Sequence, residues 1–260
     1  MAVKLKADRV GWDVAGRAIL GKIDFELGAK ECLAVVGPNG AGKTTLLKIV
    51  AGLLVPSRGE CLWETTTYDQ ISRKDLARRI SYVPQSRPLR VPLTVEHLVL
   101  LGRYPYLSAF RLAPTKTDYQ VVAESLELAG MQALRGRKLE TLSGGERQSA
   151  YIAAALAQQA EVLILDEPTA YLDPRHQRDV AALLLRLKRE RGLTILIATH
   201  DLNFASLIAD RILALRSGGV VACETPADLL QPERLAEVFD APFTVVRPGS
   251  RPLTMLEIDS

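Results

Sequence analysis

The stretch "GPNGAGKTT", residues 37–45, decides the fold of this 260-residue chain. It fits the pattern of a phosphate-binding P-loop, with Gly37, Gly42, Lys43 and Thr44 at the defining positions. Small residues let backbone N–H groups surround phosphate oxygens, and the helix that follows points its positive end at them. Lys43 adds a charge near the β- and γ-phosphates, and the Thr44 hydroxyl can ligate Mg²⁺. The residues predicted to bind the nucleotide here are Gly37, Pro38, Asn39, Gly40, Ala41, Gly42, Lys43, Thr44 and Thr45.

The sequence around this loop favours an α/β fold with a parallel sheet. Three short apolar runs, residues 32–36, 162–165 and 194–198, are typical of buried strands, and helical stretches separate them. The first run ends at the P-loop, the second at Asp166 and the third at His200. Because ligands bind beyond the carboxyl ends of parallel strands, these polar clusters predict one shared site.

Residues 86–160 follow a different pattern. They contain no strand-like run, and "TVEHLVLLGRY" and "TDYQVVAESLELAG" have helical periodicity. We interpret this segment as a helical subdomain inserted into an α/β core of residues 1–85 and 161–260. Further on, "RILAL", two glycines and "VVACE" predict a hairpin, and Thr225 with Pro226 predicts the start of a helix.

Two adjacent carboxylates end the apolar run in "VLILDEP". A Mg²⁺ ion that also has phosphate ligands takes one or two carboxylates, so Asp166 suits it, directly or through water. Glu167 leaves the strand in another direction and can orient the attacking water or accept its proton. His200 can donate a hydrogen bond to the γ-phosphate, and the Gln85 amide can reach Mg²⁺ or the water. The alternatives are a solvated acidic loop, a surface histidine and an ordinary loop glutamine.

Composition limits the function classes. The chain is 48% hydrophobic and 24% charged, and its net charge of +3 is too small to indicate nucleic acid or an anionic membrane surface as a partner. Cys32, Cys61 and Cys223 are far apart, as expected of reduced thiols in a cytosolic protein. No apolar run approaches the ~18 residues of a membrane span, and the N-terminus lacks a signal-peptide pattern. We therefore expect a cytoplasmic chain, with any membrane part supplied by another polypeptide.

A second glycine-containing helix start lies in "LSGGERQ", residues 142–148. Ser143 and Glu146 have the spacing of a capping box. Gly144 and Gly145 weaken a helix, and they help only if another group must approach the backbone closely. One nucleotide in the P-loop does not obviously need both anion-binding helix starts from the same molecule.

Together these motifs resemble the nucleotide-binding subunit of an ATP-binding cassette (ABC) transporter, over nearly the whole chain. The resemblance implies a single ABC ATPase domain, residues 1–260, with a P-loop NTPase core, an N-terminal antiparallel β part and an inserted helical subdomain. The motifs are Walker A at residues 37–44, the Q-loop at Gln85, the signature at residues 142–148, Walker B at residues 162–166 followed by Glu167, the D-loop with Asp173, and the switch residue His200.

The resemblance also implies roles for single residues. Glu167 would be the general base, Gln85 a sensor that links Mg²⁺ to the helical subdomain, and His200 the γ-phosphate contact. Trp12, upstream of Walker A, would stack on the adenine; the alternative is that it packs on an edge strand. Asp173 would couple the subunits of a homodimer.

In that homodimer, two chains meet head to tail. The signature residues Ser143, Gly144, Gly145 and Glu146 would close over the γ-phosphate of an ATP held by the partner. This arrangement gives each of the two anion-binding helix starts a phosphate, and it makes dimerisation a condition for catalysis. The expected cofactors are ATP and Mg²⁺.

The subgroup is indicated by "TAYLDPRHQ" and "LGRYP", residues 101–105. Both are similar to ATPases that energise uptake of ferric siderophores, haem or vitamin B12, and His176 with Gln177 strengthens the likeness. The resemblance implies membrane permease subunits, indirectly a substrate-binding protein, and a place on the inner face of the cell membrane. Importers of molybdate, zinc or manganese, and a soluble ABC ATPase of iron–sulfur cluster assembly, remain alternatives. Ser149 and Ala154 stand where the family often has basic residues.

Ser143→Arg is expected to block ATP hydrolysis while sparing ATP binding to the isolated monomer, because the signature serves the ATP of the partner. Steady-state ATPase assays and a nucleotide titration of the monomer measure the two effects. If the monomer instead lost its ATP affinity, the signature would belong to its own chain's site.

Overall fold

The computed structural model describes residues 2–85, 92–107, 113–246 and 253–256. The strands are β1 (Val3–Val14), β2 (Arg17–Gly28), β3 (Cys32–Val36), β4 (Arg58–Trp63), β5 (Thr66–Thr67), β6 (Ile80–Val83), β7 (Val162–Asp166), β8 (Thr194–Ala198), β9 (Arg211–Arg216), β10 (Gly219–Glu224), β11 (Phe243–Val246) and β12 (Leu253–Leu256). The α-helices are α1 (Lys43–Val50), α2 (Arg73–Arg79), α3 (Val95–Leu101), α4 (Lys116–Leu128), α5 (Gly144–Ala157), α6 (Pro174–Arg191), α7 (Leu202–Ile208), α8 (Pro226–Leu229) and α9 (Pro232–Phe239).

The central sheet has the strand order β10-β9-β3-β8-β7-β6. Five of these strands are parallel, and β10 pairs antiparallel with β9 at one edge. Every residue of β3, β7 and β8 is buried, which explains their continuous apolar runs. The three predicted strands are confirmed, with β7 extending one residue further to include Asp166. The predicted β9–β10 hairpin is also confirmed, and so is a helix that begins at Pro226.

The N-terminal part forms an antiparallel sheet with the order β2-β1-β4-β5. Its inner face packs on α1, where Leu20 and Ile23 of β2 share one apolar core with Leu46 and Leu47 of the helix. All four side chains are 0% exposed. Burying a leucine or isoleucine contributes on the order of 2 kcal/mol of transfer free energy, so this layer fixes α1 and the loop before it.

Between β6 and β7, the described residues form helices around a separate apolar core. Val99 of α3, Val122 and Leu126 of α4 and Ala153 of α5 belong to this core. The described part of the segment has no strand, apart from a single bridge between residues 94 and 138. Residues 86–91 and 108–112 of the predicted subdomain lie outside the described residues. The boundaries at 86 and 160 therefore stay a prediction.

Arg103, from "LGRYP", is a buried charged residue of this helical segment and is only 5% exposed. Its Nε donates to Oδ1 of Asp118 on α4 at 2.9 Å, and one terminal nitrogen donates to the Ala157 carbonyl at the end of α5 at 2.7 Å. The same nitrogen also donates to the Gln159 side chain at 2.9 Å, and the guanidinium lies 3.8 Å from the Tyr106 ring centre. The motif arginine thus joins two helices.

The turn after Arg103 attaches the helical segment to the core. The Pro105 carbonyl accepts a hydrogen bond of 3.1 Å from Arg78 on α2. Tyr106 donates its hydroxyl to the Gln158 carbonyl at 3.0 Å, and the Gln158 amide in turn donates to the Ile80 carbonyl of β6 at 2.8 Å. These bonds are among the polar contacts that connect the segment to α2 and β6.

Arg103→Met should lower the free energy of unfolding by about 3–5 kcal/mol, because it leaves the Asp118 carboxylate buried without its cation. Burial alone would raise the pKa of Asp118, but hydrogen bonds from Thr115 and Arg103 hold it below its usual value. A depressed native pKa gives stability that is present above the unfolded value and lost as pH falls through the native one. The effect should therefore be full at pH 7 and shrink in acid, as measured by urea unfolding.

Arg135→Met is the matched control. Arg135 pairs with Glu96 in the same helical segment, but its side chain is 42% exposed. Exposed pairs contribute about 0–1 kcal/mol, so the control should unfold near the wild-type urea concentration. Equal effects of the two substitutions would contradict the role given to Arg103.

Candidate active site

The P-loop is held between two sheets by its glycines. Gly37 (φ 146°) and Gly42 (φ 97°) have left-handed backbone conformations that side chains disfavour. A Cβ on Gly37 would lie 2.1 Å from the Leu215 carbonyl oxygen of β9, and one on Gly42 would lie 2.4 Å from Cδ2 of Leu20 in β2. A side chain at either position would therefore collide with a neighbouring strand, directly before α1 begins at Lys43.

The Lys43 side chain lies back over this loop and is 7% exposed. Its Nζ donates to the Gly37 carbonyl at 2.7 Å and to the Pro38 carbonyl at 3.2 Å. Burial lowers the pKa of Lys43, while the carboxylates of Glu167 and Asp166 act in the opposite direction. An anionic phosphate is a stronger partner for an ammonium group than neutral carbonyls, so this lysine is placed to exchange them for phosphate oxygens.

Asp166 is oriented by two hydroxyl groups and is 2% exposed. Thr44 Oγ1 donates to its Oδ1 at 3.0 Å, and Tyr82 OH donates to its Oδ2 at 3.1 Å. Burial and the nearby carboxylate raise the pKa of Tyr82 well above its usual value, so the phenol remains a donor. Gln85 lines the same cavity of about 320 Å³ as these three residues.

The donors around this cavity fit Mg²⁺. Thr44 and Asp166 are in direct contact, and Gln85 adds an amide oxygen, all hard ligands. Among the residues that the structure describes, no group of three or more His, Cys, Asp or Glu is arranged to hold a metal. A Mg²⁺ ion bound largely by phosphate and water needs only one or two protein carboxylates, and this site offers them.

Glu167 and His200 meet at the ends of β7 and β8. The His200 Nδ1 lies 2.6 Å from Glu167 Oε2, and the backbone of Glu167 has a left-handed φ of 50°. Such a conformation costs about 1–3 kcal/mol in a residue with a side chain, and it is often found at functional sites. A carboxylate only accepts hydrogen bonds, so this contact corresponds to the histidine tautomer with its proton on Nδ1. In that tautomer Nε2 is an acceptor, so the ring has to turn away from Glu167 before it can donate a hydrogen bond to a phosphate.

Trp12 lies in β1, half-buried against the core that includes α1. It stands opposite Leu20 of β2, the residue whose side chain reaches Gly42. The alternative of packing on an edge strand is wrong in one respect, because β1 lies between β2 and β4. Adenine stacking on Trp12 stays a prediction.

The signature forms the start of α5, and its predicted capping box is confirmed. Ser143 Oγ accepts from the Glu146 N–H at 3.2 Å, and Glu146 Oε2 accepts from the Ser143 N–H at 2.8 Å. The sequence does not indicate what lies beside the glycines. A Cβ on Gly145 would lie 2.2 Å from Cδ2 of His176 in the same chain, whereas the nearest atom to a Cβ on Gly144 is Leu172 Cδ2 at 3.7 Å.

Asp173 is the N-cap of α6. Its Oδ1 accepts from the His176 N–H at 2.9 Å, and its Oδ2 is 2.8 Å from His176 Nδ1. These hydrogen bonds lower the pKa of Asp173, so the carboxylate stays ionised. The only sequence sign of the contact is the "HQ" after the D-loop, and a role of Asp173 in dimer coupling stays a prediction.

The loop, the strand-end carboxylates and the second capped helix start define a P-loop nucleotide-binding domain. A family model described as "ABC transporter" matches residues 20–170. The chain belongs to the ABC transporter family, as one of its ATPase subunits. Within the described ranges, no helix combines the length and the apolarity needed to cross a membrane.

Two curated relatives match most of the chain. The iron(3+)-hydroxamate import ATP-binding protein FhuC of Bacillus subtilis (strain 168) is 36% identical over 243 residues, which is 93% of this chain and 90% of the relative. The hemin import ATP-binding protein HmuV of Streptomyces coelicolor is 40% identical over 235 residues, or 89% of this chain and 81% of the relative.

Solved structures show the same fold. An inward-facing transporter described as of the metal-chelate ABC type superposes with a TM-score of 0.87 at 27% identity, covering 99% of this chain and 98% of the other. A bacterial ABC transporter cassette solved as a dimer gives a TM-score of 0.74 at 27% identity, covering 85% and 98%. The P-loop NTPase core, the antiparallel N-terminal sheet and the added helices are confirmed.

Tyr82→Phe should raise the Mg²⁺ concentration for half-maximal ATPase activity by roughly tenfold or more, because outer hydrogen bonds orient metal ligands. The variant keeps the ring and removes only the donor to Asp166 Oδ2. A Mg²⁺ titration of ATPase activity at saturating ATP measures the shift. Tyr119→Phe, at an exposed tyrosine of α4, is the control. An unchanged titration in Tyr82→Phe would show that this hydroxyl does not position Asp166.

Proposed function

We propose that this chain hydrolyses ATP to power an importer of ferric siderophores, haem or vitamin B12. The assignment of the ATPase site rests on the contact of Glu167 with His200. This contact lies beside the Thr44–Asp166 pair, at the carboxyl ends of the parallel strands. The names of the relatives favour iron-chelate or haem import over molybdate, zinc or manganese import. They also favour it over a soluble ATPase of iron–sulfur cluster assembly.

ATP would lie with its phosphates over residues 37–45 and its adenine against Trp12. Thr44, Asp166 (directly or through water) and Gln85 would hold Mg²⁺, which supplies charge neutralisation for the phosphates when bound. Glu167 would take a proton from the water that attacks the γ-phosphorus, while the bond to the β-phosphate oxygen breaks. His200 would contact the γ-phosphate after its ring turns away from Glu167.

The signature is proposed to act on the ATP of a second copy of the chain. The capping box uses the N–H groups of Ser143 and Glu146, and within the described residues the N–H groups of Gly144 and Gly145 have no partner. Free N–H groups at a helix start bind phosphate. Two chains meeting head to tail would give each ATP both a P-loop and a signature, with Asp173 near the contact. The dimeric cassette among the solved relatives supports this proposal.

An apolar surface on the helical segment suits a permease. Its cavity of about 390 Å³ is lined by side chains that include Leu93, Leu100, Leu101, Tyr104 and Leu107. Leu101 is 59% exposed and Tyr104 is 74% exposed, which is unfavourable unless another chain covers them. A membrane permease docked there would place the chain on the inner face of the cell membrane and would connect it indirectly to a substrate-binding protein.

Glu167→Gln is expected to keep ATP binding, lower turnover at least a hundredfold and trap an ATP-bound dimer, because general bases contribute about 10²–10⁴-fold to rate. ATPase assays and size-exclusion chromatography with ATP measure these effects. Glu161→Gln is the matched control: Glu161 precedes the other end of β7 and pairs with Lys4 on the surface. Normal turnover in Glu167→Gln would rule out the general-base role.

Import is tested by purifying the chain with its membrane and substrate-binding partners. Those components are placed in vesicles, and uptake of a ferric siderophore, hemin and vitamin B12 is measured with wild type and Glu167→Gln. ATP-dependent uptake of one of them, lost in the variant, supports the proposal. Uptake of a molybdate or zinc ion instead would contradict it.

A further inference from the structure

We propose that His176 is a positioning residue that joins the D-loop to the signature motif of the same chain, and that it thereby couples the two ATP sites of the dimer. The proposal rests on the head-to-tail dimer described above and assigns a residue that the motifs leave without a role. His176 is the third residue of α6, and its side chain is 37% exposed.

On one side, His176 fixes the Asp173 carboxylate. Its backbone N–H donates to Oδ1, and its ring Nδ1 donates to Oδ2, at 2.9 and 2.8 Å. A single residue thus engages both oxygens of Asp173. Because the carboxylate accepts at two points, it cannot rotate without breaking the helix cap, and the first turn of α6 moves with the D-loop.

On the other side, the imidazole fills the space beside Gly145. Atoms Cδ2, Cγ and Nε2 of the ring would lie 2.2, 2.5 and 2.9 Å from a Cβ at that position. Gly145 is buried, and its missing side chain is replaced by the His176 ring. The contact with His176 therefore explains why residue 145 has no side chain, independently of any phosphate.

A second contact reinforces the first. Leu172, directly before Asp173, places Cδ2 3.7 Å from the position of a Cβ on Gly144. Side chains of the D-loop and of the first turn of α6 thus lie beside both signature glycines. A shift of the D-loop would displace the start of α5, since packed side chains transmit rigid-body motion.

The two motifs that His176 joins belong to different ATP sites of the proposed dimer. Asp173 comes shortly after Glu167, which serves the ATP of its own chain, whereas Gly144 and Gly145 face the ATP of the partner in the proposed dimer. The His176 contacts therefore connect one ATP site to the other through a single chain. ATP binding at one site should therefore change the ATP affinity of the second site. This cooperativity is a coupling free energy between the two sites.

The experiment compares His176→Ala, His176→Asn and Arg178→Ala in the full-length chain. Asparagine can place its amide nitrogen where Nδ1 stood, so it keeps the donor to Asp173 and removes the ring. Arg178, on the same helix with a side chain 78% exposed, is the control. The measurements are ATPase rate against ATP concentration, nucleotide affinity of the monomer, and melting temperature.

For His176→Ala we expect kcat to fall on the order of tenfold, because small misplacements of catalytic groups cost up to about a hundredfold. The Hill coefficient should fall toward 1, while the nucleotide affinity of the monomer stays unchanged. His176→Asn should recover part of kcat, and Arg178→Ala should match wild type.

Wild-type kcat and Hill coefficient in His176→Ala would overturn the proposal. So would a loss of kcat that only accompanies weaker nucleotide binding by the monomer, since that result indicates a structural role. The proposed function is tested separately. It is contradicted if the wild-type chain hydrolyses ATP but Glu167→Gln traps no ATP-bound dimer, and this comparison does not involve the His176 variants.

A double-mutant cycle tests the contact with Gly145 directly. Gly145→Ala places a methyl group against the ring, and His176→Ala removes the ring, so the alanine at 145 should cost less kcat in the His176→Ala background. Equal costs of Gly145→Ala in both backgrounds would show that the ring and the signature are not coupled.

Discussion

The close approach of two P-loop glycines to neighbouring strands is the constraint on which the site depends. Gly37 lies against the Leu215 carbonyl of β9, and Gly42 lies against Leu20 of β2, so the loop is clamped between two sheets. That clamp fixes Lys43 and Thr44 at the start of α1. In the sheet, β3 lies between β9 and β8, and β7 lies next to β8. The carboxyl ends of these parallel strands therefore bring Asp166, Glu167 and His200 close to the P-loop. The groups proposed to be catalytic are thus placed by strand order, and a small shift of the loop would separate Thr44 from Asp166.

Much of this arrangement could be predicted from sequence, because its signals are local. Continuous apolar runs predict buried parallel strands, and Ser143 with Glu146 predicts a capped helix start, since both rules need only neighbouring residues. Tyr82 could not be found this way. Its hydroxyl reaches Asp166 because β6 pairs with β7, and nothing in "ISYV" specifies that neighbour. Strand order in a parallel sheet is set by packing across the whole domain.

The "LGRYP" motif is a second case in which the sequence does not specify a residue's structural role. Its pattern indicates a subgroup of importers, but the pattern does not reveal what Arg103 does. The structure shows a buried guanidinium that binds Asp118 and the end of α5, in a turn that also bonds α2. A buried ion pair contributes little net stability, yet it is costly to break, so it favours one relative placement of the helices. If a permease docks on the apolar surface around Leu101 and Tyr104, as proposed, this ion pair would provide a stiff connection behind it.

The two signature glycines differ in what surrounds them, and this difference bears on how the ATPase works. A Cβ on Gly144 would meet Leu172 Cδ2 at an ordinary contact distance of 3.7 Å, while a Cβ on Gly145 would collide with the His176 ring of its own chain. A motif chosen only for phosphate access would not need the second glycine to accommodate an imidazole. The same ring contacts Asp173, so the start of the signature helix and the D-loop are both in contact with His176. In the proposed head-to-tail dimer, neither ATP site would then rearrange without moving a group that belongs to the other.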